Sequence, residues 1–85
     1  MTYIYCCVNL FSFASVFISE DGRSRRVECA PVSELPKTLM AHCMQNDIHH
    51  IHLFGNNSIA SQIREETETL FETNYANHSI EIEVN

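Results

Sequence analysis

The sequence predicts an α/β domain of order β-β-β-α-β-α-β, and three observations predict it. The first third of the chain is β-rich and is split by Asp21-Gly22, the dipeptide that two-residue hairpin turns prefer. Two later segments, opening near Ser33 and Ser58, repeat apolar residues at helical spacing. Two short apolar runs, His49 to Phe54 and Ser79 to Val84, each follow one of these segments closely or lead into the next, and they read as strands. At 85 residues the chain is expected to be one domain, residues 1–85.

The first strand is expected over Thr2–Val8. Tyr3, Ile4, Tyr5, Cys6, Cys7 and Val8 leave it no polar face, which places it in the middle of a sheet covered on both sides. Asn9 to Ser12 is expected to turn the chain. The second strand runs to Ser19, with Phe13, Val16, Phe17 and Ile18 as its apolar content. The third, Ser24 to Ala30, is polar and alternating, as an edge strand is, and Pro31 ends it.

The first helix is expected to start with Ser33 as its N-cap, Glu34 in the first turn and Pro36 early, where its missing N–H does no harm. Leu35, Leu39 and Cys43 form its apolar stripe, and Gln45-Asn46-Asp47 ends it. The fourth strand follows, then a turn at Gly55-Asn56. The second helix spans Ser58 to Thr73, with Ile59, Ile63 and Leu70 on one face and Glu65, Glu68 and Glu72 on the other. In the last strand Ile80, Ile82 and Val84 alternate with Glu81 and Glu83, so it is the second edge. The simplest five-stranded mixed sheet has order 3-2-1-4-5, with two hairpins and then two crossovers.

This order of elements resembles a truncated ribonuclease H-like domain. Nucleases of that fold carry an acidic metal ligand on the first strand, whereas Tyr3 to Leu10 contain no acid and the fourth strand ends without one. The resemblance therefore does not imply metal-dependent phosphodiester cleavage. In its size, its lone domain, the Gly-Asn turn before a helix and its IEIEV segment, the chain is also similar to short accessory proteins of tailed phages. That second resemblance implies an antagonist of host defence acting in the host cytoplasm.

Eleven acids against five bases give a net charge of −6, which argues against general DNA or RNA binding but leaves room for a local anion site. The four cysteines, Cys6, Cys7, Cys29 and Cys43, show no CxxC spacing and read as reduced, buried thiols of a cytoplasmic protein. Polar Asn9, Ser12 and Ser15 interrupt the apolar N-terminal stretch, so neither a signal peptide nor a membrane span is expected. A domain this small buries a modest core, which makes a homo-oligomer the expectation.

Four constellations have chemistry to offer. His50 and His52, spaced to share a strand face, can ligate zinc as a pair, but no third ligand has a diagnostic spacing, and no metal is expected. Cys6 or Cys7 beside His50 or His52 would be a nucleophile pair, yet central-strand thiols lack a path to solvent. The third is the rim at the carboxyl ends of the first and fourth strands. There Asn9, Ser12, Gly55, Asn56, Asn57 and Ser58 meet a helix N-terminus, which can hold a phosphate or carboxylate. The fourth is Arg23 with Arg25, which share a face of the third strand and suit phosphate oxygens, with Arg26 on the opposite face.

These features point to a non-enzymatic binding protein with no cofactor that captures a small anionic ligand of the nucleotide class at Asn9, Ser12, Gly55–Ser58, Arg23 and Arg25. Joined to the phage resemblance, they imply a sponge for a nucleotide immune signal. The alternative is an acidic inhibitor whose Glu65, Glu68 and Glu72 face, with Glu81 and Glu83, imitates nucleic acid toward a basic host protein.

Overall fold

A computed structural model describes residues 1–9 and 13–85. The strands are β1 (Thr2–Val8), β2 (Phe13–Glu20), β3 (Arg23–Pro31), β4 (His50–Gly55) and β5 (Glu81–Val84). The helices are α1 (Leu35–Asn46) and α2 (Asn57–Asn74). The strands form one sheet in the order β3-β2-β1-β4-β5. The β1–β2 and β2–β3 pairs are antiparallel, while β1–β4 and β4–β5 are parallel. The predicted order and the mixed character of the sheet are both observed.

The β2–β3 turn works as the Asp-Gly pair requires. Asp21 and Gly22 have φ of 52° and 81°, the two left-handed positions of a tight hairpin turn. One irregularity follows. The register slips by a residue opposite Val16 and Phe17, so Glu28 pairs with Val16 and Arg26 with Phe17, and Val27 is the extra residue of a bulge.

Both helices lie on one side of the sheet and pack on each other. Ile4, Cys6 and Val8 of β1, Val16 and Ile18 of β2, and Ile51 and Leu53 of β4 face them. Leu35, Leu39 and Cys43 of α1 and Ala60, Ile63 and Phe71 of α2 complete this core. Thr67 is fully buried in the α2 stripe and donates its hydroxyl to the Ile63 carbonyl at 2.6 Å, which satisfies it. The expected two-sided cover of β1 is corrected here. Its other face carries half-buried Tyr3 and Tyr5 and exposed Cys7, and among the described residues no helix lies over it.

Both helix starts differ from the expectation. Val32–Glu34 form a short 3₁₀ turn, so Ser33 is not an N-cap. The chain enters α1 through Glu34, without a side-chain capping bond, and Pro36 sits in the first turn. At α2 the cap is Asn56 and not Ser58: the Asn56 Oδ1 accepts the Ile59 N–H at 3.0 Å. Asp47 ends α1 in the left-handed conformation, φ 53°, with its N–H on the Cys43 carbonyl. β4 starts one residue later than expected, leaving His49 outside it, and β5 is only four residues long. Among the described residues no helix is long and apolar enough to cross a membrane.

Candidate functional site

The rim forms as the topology demands. Val8 pairs with Gly55 at the carboxyl ends of the two central parallel strands, so Asn9 and Gly55–Ser58 come together. Ser12, assigned to the same rim, lies outside the described residues, as does most of the expected Asn9–Ser12 turn. The junction is tight: the Asn56 N–H donates to the Val8 carbonyl at 2.7 Å, and Ala60 donates to the Asn56 carbonyl at 2.9 Å. With its Oδ1 on Ile59, Asn56 spends its main polar groups on the turn itself. Exposed Asn57 and Ser58 are the rim residues best placed to meet a ligand.

Arg23 and Arg25 are elsewhere. Arg23 pairs with Glu20, which pairs with Thr2 at the start of β1, so the arginines sit at the opposite end of the sheet. Six residues of β1 separate that level from Val8, about 20 Å. The two arginines line an open depression of about 560 Å³ with Ile18, Glu20, Asp21 and Ser24, where the acids offset their charge. One small ligand does not span both groups.

The cysteines divide in two. Cys6 and Cys43 are buried, and burial pushes each thiol up to about 12, well out of the nucleophilic range at neutral pH. Cys7 and Cys29 are exposed because their side of the sheet is uncovered, which corrects the expectation of four buried thiols. Cys6 points into the core, away from the face of His50 and His52, so it is no partner for them.

The uncovered face holds a set of groups that the sequence reading did not assemble. Register places Arg26 beside Phe17, Phe17 beside Tyr5, Tyr5 beside His52 and His52 beside Glu83, in one row across all five strands. Tyr5 stacks on Phe17 with ring centroids 5.0 Å apart and planes within 5°. Tyr3 and Phe54 flank Tyr5 at 6.1 and 6.4 Å, and Phe54 meets the His52 ring edge-on at 6.0 Å. Such spacings are those of favourable aromatic pairs. His50 Nε2 lies 3.3 Å from Glu81, and the Asn85 amide donates to His52 Nε2 at 2.7 Å. A shallow hollow of about 170 Å³ between Met1, Tyr3, His50, His52 and Glu83 opens on this face.

The same placement separates the acids. Glu81 and Glu83 stand on the uncovered face opposite His50 and His52, whereas Glu65, Glu68 and Glu72 belong to α2 on the other side of the sheet. They do not make one acidic surface. No protein-family model matches the sequence, and neither a curated protein nor a solved structure is significantly similar to the chain.

Proposed function

We propose that this chain is a non-enzymatic binding protein and that its working surface is the uncovered sheet face. The ligand is a small anion with a planar ring, of the nucleotide class. The observation that carries the reading is the row Arg26–Phe17–Tyr5–His52, where ring surface and a guanidinium share the face of the sheet turned away from both α1 and α2. Aromatic side chains of half-buried sheet faces hold bases through stacking and edge contacts, and a guanidinium beside them pairs with phosphate oxygens. An apolar patch bounded by charged residues is also what a binding surface looks like on a small protein. The element order keeps the ribonuclease H-like likeness within this reading as an ancestry of the fold. The likeness to phage accessory proteins makes sequestration of a nucleotide signal the corresponding role.

A second reading rests on the distribution of charge on the same face. Arg26 stands at the β3 edge and Glu81 and Glu83 at the β5 edge. A second copy turned about a two-fold axis parallel to the strands sets each Arg26 over Glu83 of the other copy, and the aromatic rows meet in a sandwich. An axis across the strands would oppose like charges.

Calorimetric titration with a panel of linear and cyclic nucleotides, run beside light scattering, tests both. Under the first reading the wild-type protein binds at least one nucleotide, and Phe17→Ala and Arg26→Gln each weaken it tenfold or more while Ser58→Ala leaves it unchanged. Under the second the protein is a dimer that Arg26→Glu dissociates. A monomer that binds no nucleotide overturns both.

A further inference from the structure

We infer that Asp47, His49 and His78 form a binding site for a divalent transition-metal cation of the zinc class. Two segments distant in sequence bring them together: the short link from α1 to β4, which carries Asp47 and His49, and the turn that follows α2. The ligand atoms that the three side chains offer all lie within 4.8 Å of one another. His49 Nε2 is 3.2 Å from Asp47 Oδ1, close to the separation of about 3.3 Å that tetrahedral donors have around zinc.

The hydrogen bonds of the two imidazoles strengthen the assignment. His49 Nδ1 is 2.6 Å from the Ser79 carbonyl oxygen, and His78 Nε2 is 2.8 Å from the Ile48 carbonyl oxygen. A carbonyl only accepts, so these nitrogens carry the protons and donate. In the neutral rings the lone pairs then belong to His49 Nε2 and His78 Nδ1. A backbone carbonyl holding the far N–H is the usual support of a metal-binding histidine, because it fixes the tautomer and turns the other nitrogen outward. In His49 that nitrogen faces a carboxylate oxygen at 3.2 Å, a pair that a proton or a metal cation bridges equally well.

The surroundings leave the site open. The His78 ring is stacked between His49, at 4.1 Å and 15° between planes, and buried Phe71, at 5.7 Å, so the two imidazoles splay apart for both in-plane lone pairs to reach one ion. His49 and Asp47 are exposed, so water completes the coordination shell. Two imidazoles and one carboxylate suit zinc and its neighbours in the first transition row better than magnesium or calcium, which prefer oxygen donors. The His-x-His pair of β4 is not part of the cluster: His50 is engaged with Glu81 and His52 with Asn85.

Isothermal titration of tag-free protein with zinc sulfate, and visible absorption on titration with cobalt chloride, test the site. The expected result is one equivalent of metal per chain, an affinity that falls as pH is lowered because protons compete for the imidazoles, and a tenfold or greater loss in both Asp47→Asn and His49→Gln. Both positions are exposed and their variants keep the fold, as far-ultraviolet circular dichroism will verify. The double variants His50→Gln/His52→Gln and Cys7→Ser/Cys29→Ser retain wild-type binding. Absence of stoichiometric binding by the wild-type chain overturns the proposal. So does undiminished binding in Asp47→Asn and His49→Gln, or loss of binding in either double variant.

Discussion

A methyl group added at Gly55 would stand 2.1 Å from the Val8 carbonyl oxygen, and φ there is +108°. Backbone meets backbone at this point, so no rotamer change relieves the clash. Gly22 also has a left-handed φ, +81°, but nothing lies within 4 Å of its missing side chain. Gly55→Ala is therefore expected to cost about 3 kcal/mol, from strain and clash together, and Gly22→Ala only about 1 kcal/mol. Urea unfolding of the two variants measures the difference. The buried thiols set a limit at high pH. An unfolded thiol ionises near 9.0, whereas burial makes Cys6 and Cys43 hold their protons to about 12. Folded pKa above unfolded pKa means full stability below pH 9 and progressive loss above it, at about 1.4 kcal/mol per pH unit for each thiol. The urea midpoint should fall from pH 9 upward, and Cys43→Ala should reduce that slope at the cost of a lower midpoint at pH 7.

At the level of elements, strand order and strand pairing were legible because the β2–β3 hairpin and both crossovers had local causes in Asp21-Gly22, the helical stripes and Gly55. Helix starts were less legible. Ser33 and Ser58 carry suitable oxygens, but Asn56 lies nearer the bend and reaches the Ile59 N–H first, while the Val32–Glu34 turn absorbs Ser33. Asn56→Ala should destabilise the protein by about 1 kcal/mol in urea unfolding, Asn56→Asp should restore most of it, and Ser58→Ala should be silent. The one-sided helical layer was implied by the order 3-2-1-4-5 itself. Both crossovers step in the same direction across the sheet, and crossovers of one hand then put both helices on one face. The apolar content of β1 argued the other way, because Tyr3 and Tyr5 are large enough to shelter one another and their cross-strand neighbours without a covering helix. The candidate site was legible only as a rim. Its aromatic counterpart needs the register of four strand pairs, which no local pattern states.

For the molecule as a whole, stability is centred on the two inner parallel strands. β1 is bonded on both sides, to β2 and β4, and its inward residues are fully buried. β5 is bonded on one side over four residues. Hydrogen exchange should report this gradient: the amides of Ile4, Cys6 and Leu53 should exchange only through global unfolding, and those of β5 should exchange first among the strands. If β5 is as protected as β1, this ranking is wrong. Oligomerisation through the uncovered face would add protection at Phe17 and Tyr5 that rises with protein concentration.

The bulge at Val27 carries a consequence for how this surface can vary. Side chains along a strand take alternate sides, so the side assigned to each residue is a matter of parity, counted from a fixed point. Val27 adds one to the count. With it, Arg26 shares the side of Tyr5, while Arg25 pairs with Ile18 on the helical side. Were the bulge smoothed away with Val27 retained in the ladder, parity would invert between Arg23 and Val27: Arg26 would leave the aromatic row and Arg23 and Arg25 would join it. A single unpaired residue thus acts as a selector between one cation and two, without any arginine being gained or lost.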